Sequence, residues 1–240
     1  LKKDGFIVMF GRGTSFYRWN TILADLGFKF KEEIVWNKKF NSSPVLPIQR
    51  FHETISIHTK GKGIINHTKV PYCEQKQYNI DSIAGDIMRI KSALNNTTEL
   101  DALKLFLETK IKQIYKRKND KGSGCTIAKN STGVFNIPAF VLSAIIDGTR
   151  EKSIIECVYD RYSRIHPTQK PVRLLERLLN LVSREGDTAL DPFSGSASTA
   201  VAALNTGRNF IGFEIDTEYY QLSQKRVKTA MEQRLNRLFN

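Results

Sequence analysis

The stretch DPFSGSAST at 191–199 places an acid, an aromatic ring and a run of small side chains where a strand gives way to a helix. Small residues at Gly195, Ser196 and Ala197 let a ligand approach the backbone at the helix N-terminus, where the first amides lack intrahelical partners. Glu214, in GFEID at the end of the next strand, lies 23 residues beyond Asp191. An acid at about that separation is placed to accept hydrogen bonds from ribose hydroxyls. The two elements together describe a nucleoside pocket. By themselves they do not separate a nicotinamide dinucleotide from an adenosyl-sulfonium ligand, and Asp191 as a helix cap or Phe193 as core remain equally open.

A third element makes the separation. HPTQKP at 166–171 stands immediately before the helix that precedes the glycine-bearing strand. HPTQKPV, a helix, DPFSGSAST, then GFEID followed by Tyr219 and Tyr220, in that order, resembles the amino-directed DNA methyltransferases, which modify adenine at N6 or cytosine at N4. The resemblance implies S-adenosylmethionine as cofactor. It places Thr168 and Lys170 beside the methionine end, Asp191, Phe193, Gly195 and Ser196 in the pocket wall, and Glu214 on the ribose. His166 and Asp216, in the same motifs, are carried with them as cofactor-binding residues. One departure from the family pattern is Ala197, where glycine is usual; a slightly tighter turn is expected there.

The family's amine-orienting tetrapeptide, Asp-Pro-Pro-Tyr or Ser-Pro-Pro-Tyr, does not occur. Asp191-Pro192 is the only Asp-Pro, and there is no Pro-Pro. The resemblance is therefore to the subgroup in which the catalytic motif precedes the cofactor motif. No catalytic residue is assigned within the chain; the tetrapeptide is expected upstream of Leu1. Adenine N6 is expected over cytosine N4 on frequency within the family alone. The rival reading is a cofactor- and DNA-binding remnant without catalysis. A dinucleotide oxidoreductase would leave HPTQKP unexplained.

The elements that must position these residues follow from periodicity. GFIVMF (5–10) reads as a strand buried on both faces. YRWNTILADLGF reads as a helix with Trp19, Ile22, Leu23 and Leu26 at helical spacing, capped by Gly27. EEIVW (32–36) and ETISIHT (53–59) read as strands, with a proline-bearing loop between them. Helices are expected near 82–94 and 98–117, the second with Leu100, Leu103, Leu107, Ile111 and Ile114 on one face, and a short one at 140–148. After His166 the order is helix, strand, helix, strand, helix, which predicts parallel strands with right-handed crossovers. The resulting expectation is an α/β, Rossmann-like S-adenosylmethionine-dependent methyltransferase sheet with helices on both faces and an inserted, largely helical DNA-recognition region. Residues 1–60 would form the catalytic-side half, 61–160 the target-recognition region, and 161–240 the cofactor-binding half.

Charge names the partner class. Lys and Arg total 37 against 24 acids, a formal net charge of +13. Such a surplus favours nucleic acid or an anionic surface. Residues 60–129 hold 14 Lys and Arg against 7 acids. Lys116, Arg117, Lys118 and Lys121 run beside a GSG loop, where they suit phosphate contacts or a solvated helix end. Arg12 and Arg50 are expected at the substrate edge, with His52 and Glu53 beside Arg50. Trp36 fits the core better than a base stack. Double-stranded DNA with a flipped target base is the implied partner; the resemblance admits a cognate restriction endonuclease and a homodimer without requiring either. Three widely spaced cysteines, Cys73, Cys125 and Cys157, give no metal or disulfide pattern, and the chemistry needs no metal. No apolar run is long enough to span a bilayer. A cytoplasmic setting, bacterial, archaeal or phage-encoded, is implied by the resemblance.

Overall fold

The structure, a computed structural model, describes residues 1–40, 45–95, 97–110, 114–115, 134–135, 137–158 and 164–239. In chain order the elements are β1 (Phe6–Gly11), α1 (Gly13–Asp25), β2 (Lys29–Asn37), β3 (His52–Thr59), β4 (Lys69–Val70), α2 (Tyr72–Gln75), α3 (Ile80–Leu94), α4 (Thr97–Thr109), β5 (Ile114–Tyr115), β6 (Val134–Phe135), α5 (Ile137–Asp147), β7 (Thr149–Arg150), β8 (Ile154–Glu156), α6 (Val172–Val182), β9 (Thr188–Asp191), α7 (Ser198–Asn205), β10 (Asn209–Gly212) and α8 (Thr217–Phe239). The fold is mixed α/β, built on a central sheet with helices. Two compact units divide it: residues 1–68 with 152–240, and residues 69–151.

In the first unit a four-stranded sheet runs β1-β3-β2-β8. β3 is antiparallel to both β1 and β2, and β8 is parallel to β2. The carboxyl ends of β1, β2 and β8 therefore share one edge with the start of β3. Side chains alternate along β3. Ile55 and Ile57 face α6, where Leu174, Leu175, Leu178 and Leu181 join Ile34, Trp36 and Ile155 in the main core. Each fully buried leucine contributes roughly 1.5–3 kcal/mol. The opposite face carries Ser56 and His58 beneath α1, and His58 Nε2 lies 2.8 Å from Asn20 Oδ1. A Cβ at Gly11 would sit 2.2 Å from the Phe16 ring, so only glycine lets α1 fold back onto β1.

β9 and β10 form a separate parallel pair with α7 between them in sequence, as expected of a β-α-β crossover. Ala189, Asp191, Phe210 and Gly212 are partly covered, whereas Leu190, Ile211 and Phe213 are exposed.

Several sequence expectations need correction. β1 is partly exposed throughout rather than buried on both faces, because among the described residues it pairs with β3 alone. In α1, Phe16 is the buried residue, while Trp19, Ile22 and Leu26 are exposed. The helix expected over 98–117 ends at Thr109, where Lys110 turns into the left-handed region at φ 61°. Within it Leu103 and Phe106 are buried and Leu107 is exposed, so the packed face is rotated from the expected one. The short strand β8, within a stretch expected to be recognition sequence, pairs with β2.

The second unit packs α3, α4 and α5 around Ala93, Leu103, Phe106 and Ala139. Its entrance and exit are tied to each other, since Lys69 pairs with Arg150 and Val70 with Thr149 across β4 and β7. No described helix is long and apolar enough to cross a membrane.

Candidate active site

The small-residue turn after β9 is held by the next strand. Glu214 Oε2 accepts from the Gly195 amide at 2.7 Å, and Glu214 Oε1 accepts from the Asp216 amide at 3.0 Å. The Ser194 amide donates to the Phe213 carbonyl at 2.8 Å, and the Phe213 amide to the Asp191 carbonyl at 3.0 Å. Asp191 Oδ2 accepts from the Thr199 hydroxyl at 2.6 Å and its Oδ1 from the Phe193 amide at 3.1 Å. Glu214 and Asp191 thus shape the loop with their own oxygens. Asp216 caps α8, accepting from the Glu218 and Tyr219 amides at 2.9 and 3.0 Å. The Phe193 ring is 88% exposed and Ile215 is fully exposed, so both stand clear of the protein beside the turn.

HPTQKP closes over this loop. A Cβ on Gly195 would lie 3.2 Å from the His166 ring, so glycine allows the two turns to meet. The His166 ring also stands edge-on to Tyr219, with centroids 4.4 Å apart. His166 Nδ1 accepts from the Thr168 amide at 3.2 Å and lies 3.1 Å from the Thr168 hydroxyl. From the other side Arg226 of α8 donates to the Ser196 carbonyl and to the Ser198 hydroxyl, both at 2.9 Å. Nothing in the motif pattern pointed to Arg226; its only trace in sequence is a basic residue on the closing helix. Ala197, at the expected tighter turn, adopts φ 55°.

Lys170, at the end of the same turn, points to the four-stranded sheet. Its ammonium lies 3.5 Å from Glu53 Oε2, donates to the Thr168 carbonyl at 3.2 Å and sits 5.3 Å above the Phe10 ring. Lys38 donates to Glu53 Oε1 at 2.5 Å and lies 5.0 Å over Trp36. Trp36 is 2% exposed, and its indole N–H donates to the Cys157 carbonyl at 2.7 Å, which fits the core role expected for it. Lys39 pairs with Glu156 at the end of β8, 2.6 Å apart.

The structure therefore links His166, Thr168, Gly195, Glu214 and Asp216 through direct contacts, with Ser196, Asp191 and Phe193 in the same loop. Lys170 leans away from that loop, toward the sheet edge. Arg12 follows β1 and Arg50 precedes β3; both are exposed at the edge where Gly11 pairs with Thr54. Lys116, Arg117, Lys118 and Lys121 lie outside the described residues. No group of His, Cys, Asp and Glu among the described residues could hold a metal.

Comparisons with known proteins bear on this arrangement. M2.DpnII, a type II methyltransferase of Streptococcus pneumoniae, is 44% identical over 73 residues, 30% of this chain and 27% of that protein. The DNA adenine methyltransferase YhdJ of Escherichia coli K12 is 43% identical over 76 residues, 32% of this chain and 26% of that protein. The matched segments thus span about a quarter of these relatives' lengths. In overall fold the chain is similar to the crystal structure of an M1.HpyAVI-SAM complex, with TM-score 0.51 and 20% identity over 95% of this chain and 76% of that one. It is also similar to the cytosine-N4-specific PvuII DNA methyltransferase, with TM-score 0.53 and 14% identity over 98% of this chain and 72% of that one. The family described as DNA methylase matches residues 1–225, from ahead of β1 into the first turns of α8, and this chain belongs to it.

Proposed function

We propose that the protein transfers a methyl group from S-adenosylmethionine to an exocyclic amine of a flipped base in double-stranded DNA, adenine N6 ahead of cytosine N4. The observation that carries this reading is the closure of HPTQKP over the Gly195 turn, with Glu214 at the adjoining strand end. The named relatives, type II and adenine-directed methyltransferases, support the reaction class.

The residues present fit the cofactor. The Gly195 cradle leaves a Cβ only 3.2 Å from the His166 ring, the exposed Phe193 ring offers an aromatic face to a purine, and Glu214 and Asp216 put carboxylates just beyond the end of β10. In this reading Glu214 holds the ribose, Asp191, Phe193, Gly195 and Ser196 line the pocket, and His166, Thr168 and Lys170 adjoin the methionine end. The bound sulfonium would supply the electrophilic methyl carbon. The protein's part is alignment: a rigid turn that fixes the approach angle and a strand edge that faces the incoming base. Arg12 and Arg50 at that edge would meet phosphates. Residues 69–151 and the basic run at 116–121 would read the target, and a cognate restriction endonuclease belongs to the same reading.

Tritiated-methyl transfer to unmodified DNA, using the full-length gene product, tests the proposal. Transfer to DNA amines, lowered at least about a hundredfold in Asp191→Ala, is the expected result, because that change removes the acceptor that orders the loop. Cofactor and DNA binding without transfer would sink the catalytic claim and leave a binding protein.

A further inference from the structure

Glu53 receives two ammoniums. Lys38 approaches one carboxylate oxygen at 2.5 Å and Lys170 the other at 3.5 Å. All three side chains are largely withdrawn from solvent, 11% exposed for Lys38, 24% for Glu53 and 23% for Lys170. The neighbouring cation, Lys39, has its own carboxylate in Glu156. Among the described residues, the Lys38–Glu53–Lys170 group therefore holds one positive charge more than its carboxylate offsets. Two cations on one anion is a poor arrangement for stability alone, since a partly exposed pair adds little and the second ammonium repels the first. It is a good arrangement for presenting one charge at a fixed place. The aromatic faces of Phe10 and Trp36 hold that charge from below, at 5.3 and 6.0 Å from the Lys170 nitrogen. Trp36 and Glu53 are cross-strand partners in the β2–β3 ladder, so the platform and the carboxylate share a rigid frame.

We propose that Glu53 is a positioning residue: with Lys38 as its second cation it sets the ammonium of Lys170 to receive the carboxylate of the cofactor's methionine end. This rests on the cofactor reading above. Lys170 is anchored on the sheet, while His166 of the same turn is anchored on the Gly195 loop. Glu53 thereby couples the substrate edge to the cofactor loop through five residues of chain.

Equilibrium dialysis of the full-length protein against S-adenosylmethionine and its decarboxylated analogue tests the proposal. Glu53→Gln leaves two ammoniums repelling each other across a neutral amide, and Lys170 leaves its place. S-adenosylmethionine binding is then expected to weaken about tenfold and binding of the decarboxylated analogue by less than about twofold. Adding Lys38→Met restores a single ammonium on the aromatic platform and should recover most of the lost affinity. Equal losses for both ligands, or a double variant no tighter than Glu53→Gln, would overturn the proposal by showing that Glu53 serves the fold alone. A wild-type protein that binds neither ligand would overturn the cofactor reading itself, and this proposal with it.

Discussion

Ala197 occupies a backbone conformation that glycine adopts freely and alanine does not. At φ 55° it lies in the left-handed region, which costs an L-residue about 1–2 kcal/mol. The turn is held there by the Glu214–Gly195 bond before it and by Arg226 at Ser196 and Ser198 on either side. Replacing Ala197 by glycine removes the strain, offset by about 0.8 kcal/mol for the buried methyl and by greater unfolded-state freedom. Thermal unfolding of Ala197→Gly should show unchanged or slightly raised stability, by up to about 1 kcal/mol; a loss larger than that would contradict the strain. The motifs themselves were legible because their chemistry is local: small residues, an acid and a proline-bounded turn lie within short runs. Lys38, Glu53 and Lys170 were not legible as a group. They come from three separate elements, and only the β2–β3 register with the docking of the HPTQKP turn brings them together. Arg226 escaped notice for the same reason.

Among the elements, α3 carries a buried carboxylate, Asp86, with a readable pH dependence. Asp86 accepts from the Tyr72 hydroxyl at 2.8 Å, from Lys76 at 2.6 Å and from Arg89. Burial pushes its carboxyl upward, but hydrogen bonds from Lys76, Tyr72 and Arg89 outweigh it and hold the group below the ordinary aspartate value. Stability from this carboxylate is thus present above about pH 4 and is lost as pH falls through the lower folded value. Tyr72 moves the other way: burial first, then its hydrogen bond to Asp86, push the phenol up to about 12 from 10.0. A phenol raised in the folded state stabilises fully below pH 10, and that contribution fades between 10 and 12. Two units correspond to roughly 2–3 kcal/mol. Tyr72→Phe should therefore be less stable than wild type by about 1 kcal/mol at pH 7, should match it near about pH 11 and should be the more stable of the two above that in denaturant titrations. A constant gap across that range would refute the linkage. Element boundaries were less legible than this chemistry. α4 ends at Lys110 in a left-handed turn with no glycine or proline to announce it, and β8 is three residues long, with a place given only by its partner β2.

At the scale of the whole molecule the surplus of 13 positive charges would make the proposed DNA affinity a salt-dependent quantity. With about five phosphate contacts, raising salt from about 50 to 200 mM should weaken binding several-hundred-fold, at a log–log slope near −4.5. A slope near zero, measured by fluorescence anisotropy on a duplex, would remove nucleic acid as the partner of this charge. The α/β class and the parallel β9–β10 pair were legible from the strand–helix rhythm. The division into units was legible only as a change of composition, because β4 and β7 are two residues each and carry no periodicity.

Those two short strands have a consequence for how such proteins diversify. The segment 69–151 leaves the chain and returns to it through neighbouring, hydrogen-bonded residues. A stretch whose ends already meet can be traded as a block. A recombination event need only preserve the spacing of one residue pair, and the surrounding sheet, with its closed turn and fixed lysine, would continue unaltered while what the block contacts is rewritten. On the proposed function, chimaeras joined at 68/69 and 151/152 are expected to retain cofactor affinity while changing the DNA they bind.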